Sequence, residues 1–232
     1  MHILEHLRGQ RPDEVDERAW LVIYYAIILD WLSHSKGDRR TVVLRLRANL
    51  WLAFNDTRLL MEPSDANIQA LTFLACHVEP FTTPSLCWML MSTACRMLIA
   101  MAVNHRMLEP ESQERRLMLF WHINTLDKSM AFIFPWPPTI HRTTVQELPL
   151  PTLSQIVAAQ PRPKAGNSTS LFGAHHIHQT FRLSRVMADI WCALDEHESE
   201  SRLDQVTKPA LDAWYKEALQ VWPYRCCVDV QP

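Results

Sequence analysis

Apolar residues recur along this chain at steps of three and four, the spacing that places them on one face of an α-helix. Between about Asp13 and His34, the positions Val15, Ala19, Val22, Ala26 and Leu29 step by four, three, four and three and define an inward face. A second segment of the same period runs from about Thr41 to Leu60. A third starts after Pro63-Ser64, where Ser64 can accept a hydrogen bond from the first free amides, and a fourth after Thr83-Pro84, a cap followed by proline at the first helical position. Pro110, flanked by Glu109 and Glu111, opens a fifth helix that Pro135, Pro137 and Pro138 close. Two further helices are predicted over about His175 to Glu198 and Thr207 to Val221. Only four glycines occur in 232 residues, so the expectation is an all-α fold: a single helical domain, 1–232, of about seven helices.

Between Leu148 and Ser170 the pattern breaks. Pro149, Pro151, Pro161 and Pro163 interrupt any continuous helix, and a mobile loop is expected over 159–172, centred on Pro161 to Ser170. No internal repeat or heptad run is present.

The fifth helix carries the most distinctive residues. Arg116, Phe120, Ile123 and Asp127 step by four, three and four, placing a cation, two apolar groups and an acid on one face. A face of that kind buries its charges only if they find partners. The structural reading is therefore that Arg115 or Arg116 pairs with an acid from a neighbouring helix, Trp121 packs, and Asp127 accepts hydrogen bonds that fix the turn at Pro135. In the alternative reading the helix lines a cavity, and His122, Asn124 and Lys128 reach a ligand.

The stretch 114–138, with its Arg115-Arg116 pair, Phe120-Trp121, Asp127, Ser129 and Pro137, followed by Leu148-Pro149, resembles the regulatory, or middle homology, domain of fungal zinc-cluster transcription factors. Asn67-Ile68-Gln69-Ala70-Leu71 and the segment Trp88 to Arg106 are similar to two other helices of that family. The resemblance spans about Ala19 to Trp222 and is strongest between Asn67 and Pro149, within a motif region of 63–151. This chain has Asn124 where the family usually has Tyr, Lys128 in place of Arg, Pro135-Trp136 in place of Gly-Arg, and Val103-Asn104 in place of Gly-Leu. The resemblance implies a helical regulatory domain that senses a hydrophobic small molecule or binds a regulator protein. The family's zinc cluster opens with C-x-x-C, and no such pair occurs in these 232 residues, so the expectation is a stand-alone domain without its own DNA-binding module. The chain stops short of where the family's domain usually ends, so the expectation is either a truncated domain or a surface closed by self-association, for which a homodimer is the simplest cover of an exposed apolar face.

Composition narrows the chemistry further. Twenty-three basic and 25 acidic residues give a formal charge of −2, which supplies no global field for a nucleic-acid backbone, and direct nucleic-acid binding is not expected. Eighteen of the basic residues are Arg, suited to fixed ion pairs. No apolar run is long and uncharged enough to span a bilayer, and the six cysteines show no disulfide framework. A soluble, intracellular protein, cytoplasmic or nuclear, is the expectation. His2-Ile3-Leu4-Glu5-His6 fits a zinc-peptidase pattern, but it sits at the N-terminus just ahead of Gly9 and Pro12, where no wall excludes water. His175, His176 and His178 lack an evident further ligand, so no metal and no cofactor is expected. Phosphate-cradling and nucleophile-elbow motifs are missing as well.

Nine tryptophans are mostly core material. A pocket walled by aromatics would suit an apolar metabolite, and Trp88, Trp121, His122, Asn124 and Trp136 are the candidate ligand-binding residues. A second function class follows if the fold has been turned to catalysis: a metal-independent cyclase, isomerase or dehydratase of secondary metabolism, with His122, Asp127, Lys128 and Arg96 as candidate catalytic groups. A truncated product with no role of its own is disfavoured by the intact caps and stops.

Overall fold

The computed structural model describes residues 15–34, 39–77, 83–101, 108–134, 136–159, 171–195 and 200–221. They are helical with no strand among them, so the all-α expectation holds. Seven helices of 13 residues or more account for the predicted elements: α1 (Val15–Ser33), α2 (Arg40–Phe54), α4 (Asp65–His77), α5 (Pro84–Ala100), α6 (Pro110–Ile133), α9 (Leu171–Asp195) and α10 (Glu200–Val221). Three short ones, α3 (Arg58–Met61), α7 (Arg142–Glu147) and α8 (Leu153–Ala159), lie in the connections. The chain forms two compact units, Met1–His105 and Arg106–Pro232.

In the first unit α1 packs on α2, α3 and α4, and α4 packs on α5. Ala19, Val22, Ala26 and Leu29 of α1 are all buried, as their spacing requires, and meet a core that includes Ile68, Leu71 and Leu74 of α4 and Leu98 of α5. The side chain of Val15 lies outside the described residues. The predicted second helix is divided. At Asp56 the carboxylate accepts the Arg58 amide at 3.0 Å and the Arg58 guanidinium at 2.8 Å, and Arg18 of α1 reaches it at 3.4 Å. An aspartate that bonds the backbone two residues on competes with continued helix, which is why α2 stops and α3 starts anew. The predicted caps are both in place. Ser64 Oγ accepts the Asn67 amide at 3.1 Å, and Thr83 Oγ1 accepts the Leu86 amide at 3.3 Å with Pro84 at the first helical position. Buried Asn67 donates to the Glu62 carbonyl at 2.8 Å, satisfying an acceptor where α3 ends.

In the second unit α9 is the central element, packing on α6, α7, α8 and α10, while α8 also touches α6. Phe120, Trp121 and Ile123 of α6, Val145 of α7, Ile156 of α8 and Phe181 of α9 form its core. Two helix starts differ from expectation. Helix α9 begins at Leu171 instead of about His175, which brings the last positions of the expected loop into the helix; residues 160–170 lie outside the described residues. Helix α10 begins at Glu200 instead of Thr207 and carries Pro209 inside. A proline there lacks its amide and crowds the carbonyl four residues back; α10 nonetheless docks on α9, where Trp214 Nε1 donates to the Gln179 carbonyl at 2.9 Å and Arg182 pairs with Glu217. The His2–His6 segment lies outside the described residues.

Candidate functional site

The distinctive residues of α6 are held by its packing against α9 and by the segment that follows it. Phe120, Ile123 and Asp127 are buried along the predicted face, with Arg116 half-buried at its start. Trp121 lies beside them, fully enclosed, its indole nitrogen donating to the Pro149 carbonyl at 2.8 Å and its rings packed on Phe120 and Phe181. Burying an indole requires such a partner for its N–H, and the Leu148-Pro149 segment supplies it. Asn124, also fully buried, donates to Ser184 Oγ at 2.9 Å, and that hydroxyl donates to the Phe181 carbonyl at 2.7 Å.

Asp127 and Lys128 form the most enclosed charge pair among the described residues, with side chains 5% and 1% exposed and Oδ2 and Nζ 2.9 Å apart. Their remaining bonds go to one turn. Asp127 Oδ1 accepts the Thr139 amide at 2.8 Å, Oδ2 accepts the Ile140 amide at 3.0 Å, and Lys128 Nζ donates to the Ile140 carbonyl at 2.6 Å. The acid thus binds three donors, and the ammonium binds two acceptors. Charges this deep persist when each is neutralised and hydrogen-bonded. The expected role of Asp127 as the clamp of the turn after α6 is present, with its contacts falling at Thr139 and Ile140; Pro135 lies outside the described residues. The partner is the adjacent lysine. Arg115 in turn pairs with Glu111 of its own helix at 3.7 Å and with Ser112, not with an acid from another element.

The other candidates disperse. Trp88 and Arg96 belong to α5 of the first unit, Trp88 half-buried and Arg96 exposed. Trp136 is half-buried against Phe134, 5.4 Å between ring centroids. His122 keeps a solvent-facing side, but its ring edge packs on Phe181 at 4.9 Å, and that desolvation holds its pKa below the ordinary histidine value. His175, His176 and His178 occupy the first turns of α9; burial, then the charges of Arg182 and His175, lowers the pKa of His178. Among the described residues no group of three histidine, cysteine or acidic side chains could hold a metal ion.

A cavity of about 110 Å³ opens beside the clamp, with Lys128 and Ile140 on one side, Trp191 and Cys192 of α9 on another, and Arg142 and Asp195 at its polar edge. Lys128 is the candidate residue that lines it. Pockets for metabolites run to about 300–1,000 Å³, so this space takes a small group at most. Arg142 is bound to Asp189 at 2.7 Å, which ties α7 to α9.

The deepest charges of this helical scaffold secure its own turn. The chain belongs to the fungal specific transcription factor domain family, whose model matches residues 51–216. It is 41% identical over 222 residues to a "Transcriptional regulator" of Claviceps purpurea, an alignment covering 94% of this chain and 35% of that protein. It is 28% identical over 123 residues to an uncharacterized transcriptional regulatory protein of Schizosaccharomyces pombe, covering 51% of this chain and 19% of the relative. The chain thus spans about a third or less of the curated relatives it matches. No solved structure matches it.

Proposed function

We propose that this chain is the regulatory region of a fungal transcriptional regulator, acting through a hydrophobic small molecule or a protein partner and not by reading DNA itself. The observation that carries this reading is the 41% identity, over nearly the whole chain, to a protein named as a transcriptional regulator. The site geometry agrees with it. Asp127 and Lys128 spend their hydrogen bonds on each other and on the turn at Thr139 and Ile140, which suits a scaffold more than an acid and base awaiting substrate. A formal charge of −2 and the lack of a C-x-x-C pair in these residues favour recognition of something other than a phosphate backbone. Among the described residues no helix is long and apolar enough to cross a membrane, and a regulator of this kind works in the nucleus or cytoplasm.

The test is to disrupt the coding region in the native fungus and measure transcripts and small molecules in the same cultures. A coordinated change across a set of transcripts is expected. Unchanged transcripts with one accumulating intermediate would overturn the regulatory reading in favour of catalysis, and His122 would then be the first residue to substitute.

A further inference from the structure

The cavity beside the clamp is lined by groups whose hydrogen-bonding capacity is not used up. Lys128 is 1% exposed, and its ammonium gives two of its three protons to Asp127 and to the Ile140 carbonyl. A third donor held that deep costs stability unless something in the cavity accepts from it. His141, on the same lining, caps α7 through Nδ1, which accepts the Thr143 amide at 3.3 Å. A backbone amide only donates, so Nδ1 is the bare nitrogen and Nε2 carries the ring proton. Arg142, anchored on Asp189 at 2.7 Å, adds the donors of its guanidinium.

One acid shares the lining with these donors. The carboxylates of Asp127 and Asp189 already answer Lys128 and Arg142, and Asp195, the exposed last residue of α9, stands as an acceptor for a cation. The remaining wall is apolar: Pro137, Pro138 and Ala188, with Trp191, which packs against Phe132. We propose that this cavity binds a small zwitterion, an amino acid with little or no side chain, its carboxylate accepting from Lys128, His141 and Arg142 and its ammonium group paired with Asp195.

Size and charge select this class. A cavity of about 150 Å³ holds benzene, so one of about 110 Å³ takes roughly five non-hydrogen atoms, the size of the smallest amino acids. A phosphate or sulfate would bring its charge to cations that are already neutralised, with Asp195 beside it. A purely apolar molecule would leave the third proton of Lys128 unanswered. A simple amine would meet Asp195 but set a further cation beside Lys128 and Arg142. A molecule with a carboxylate at one end and an ammonium group at the other satisfies every polar group named. The inference goes beyond the regulatory reading by adding a polar effector at a defined place, and binding is measured on the purified chain, so its outcome does not depend on any effect on transcription.

The probes are glycine, alanine and β-alanine, titrated into the full 232-residue chain, with acetate and ethylamine as the two halves of the ligand. Calorimetry gives the affinities, and the indole N–H resonance of Trp191, identified by its loss in Trp191→Phe, reports where the ligand sits. Saturable binding of at least one amino acid that moves this resonance is expected, with acetate and ethylamine at least tenfold weaker. Binding should fall at least threefold with Asp195→Asn, a change at an exposed position, and with His141→Asn, which keeps a capping side chain for α7. Ala188→Leu, which fills the cavity, should abolish it. No binding of any of the three amino acids at millimolar concentration, or binding that leaves the Trp191 resonance in place, would overturn the inference. So would acetate binding as tightly as glycine, an affinity unchanged in either Asp195→Asn or His141→Asn, or binding retained by a folded Ala188→Leu protein.

Discussion

Replacing Asp127 with asparagine keeps the shape of the side chain and removes its charge, so it isolates what the carboxylate contributes. The carboxylate accepts three bonds, from the Thr139 amide on Oδ1 and from the Ile140 amide and Lys128 on Oδ2. An asparagine has one acceptor oxygen. Turned to keep Ile140 and Lys128, it sets an NH2 against the Thr139 amide; turned the other way, it strands both of the others. In either orientation Lys128, 1% exposed, loses its neutralising partner. Breaking a buried pair by removing one member costs about 3–5 kcal/mol, and a stranded amide adds about 1–3 kcal/mol that partly overlaps with it. Lys128→Met removes the bonds to Asp127 Oδ2 and to the Ile140 carbonyl but should be somewhat milder, at about 2–4 kcal/mol, because the charge it leaves buried keeps two backbone N–H donors. The double substitution should cost less than the sum of the two singles by at least ~1 kcal/mol, since it leaves no unpaired charge. Urea unfolding followed by circular dichroism gives all three values; with a slope of about 2 kcal/mol per molar, Asp127→Asn should lower the midpoint by roughly 2 M. An Asp127→Asn protein within ~1 kcal/mol of wild type, or a Lys128→Met protein less stable than Asp127→Asn, would refute the clamp.

Three further outcomes are expected. Trp121→Phe deletes the bond to Pro149 and leaves unfilled volume, costing about 1–3 kcal/mol by thermal denaturation; no loss would mean the indole does not tether that segment. Ser64→Ala removes the cap of α4 and should cost about 0.5–2 kcal/mol, read as a lower melting temperature. Hydrogen bonds from the Arg58 side chain and then its amide, with the charges of Arg58 and Arg18, hold Asp56 at a pKa of about 2, below the ordinary 3.8. A carboxylate depressed in the folded state stabilises it above the unfolded pKa and loses that contribution as pH falls through the folded one. The difference in melting temperature between wild type and Asp56→Asn should therefore be constant above ~pH 5 and shrink as pH falls from about 5 through 2; a gap as large at pH 2 as at neutral pH would count against the Asp56–Arg58 pairing.

The long helices were legible because their apolar spacing is strict and their punctuation is local. The inward positions of α1, the Ser64 and Thr83 caps and the buried face of α6 all follow from contacts within a few residues. Long-range side-chain chemistry was less accessible. The break between α2 and α3 depends on where the Asp56 carboxylate turns, which composition does not disclose. The Asp127–Lys128 pair runs against helical spacing, because adjacent residues on a helix point about 100° apart; the long lysine chain nevertheless returns to the acid when both are directed at the same turn. One signal was present and unread. Thr152 to Gln155 is a capping box, with Gln155 Oε1 accepting the Thr152 amide at 2.9 Å and Thr152 Oγ1 accepting the Gln155 amide at 3.3 Å, and it announces α8 inside a segment that its prolines made look helix-free. The spread of Trp88 and Arg96 to a different unit from the α6 candidates is a matter of tertiary organisation that no linear spacing encodes.

The bonds from Asp127 to residues twelve and thirteen positions on, and from Trp121 to one twenty-eight on, have an evolutionary corollary. They close the chain on itself twice over a short span, so each stitch works at one separation only. One residue added between Ser129 and Pro138 would carry the Thr139 and Ile140 amides out of reach of the carboxylate. That stretch should therefore behave across relatives as a cassette of fixed length, its residues free to vary in kind wherever they face solvent but not in number.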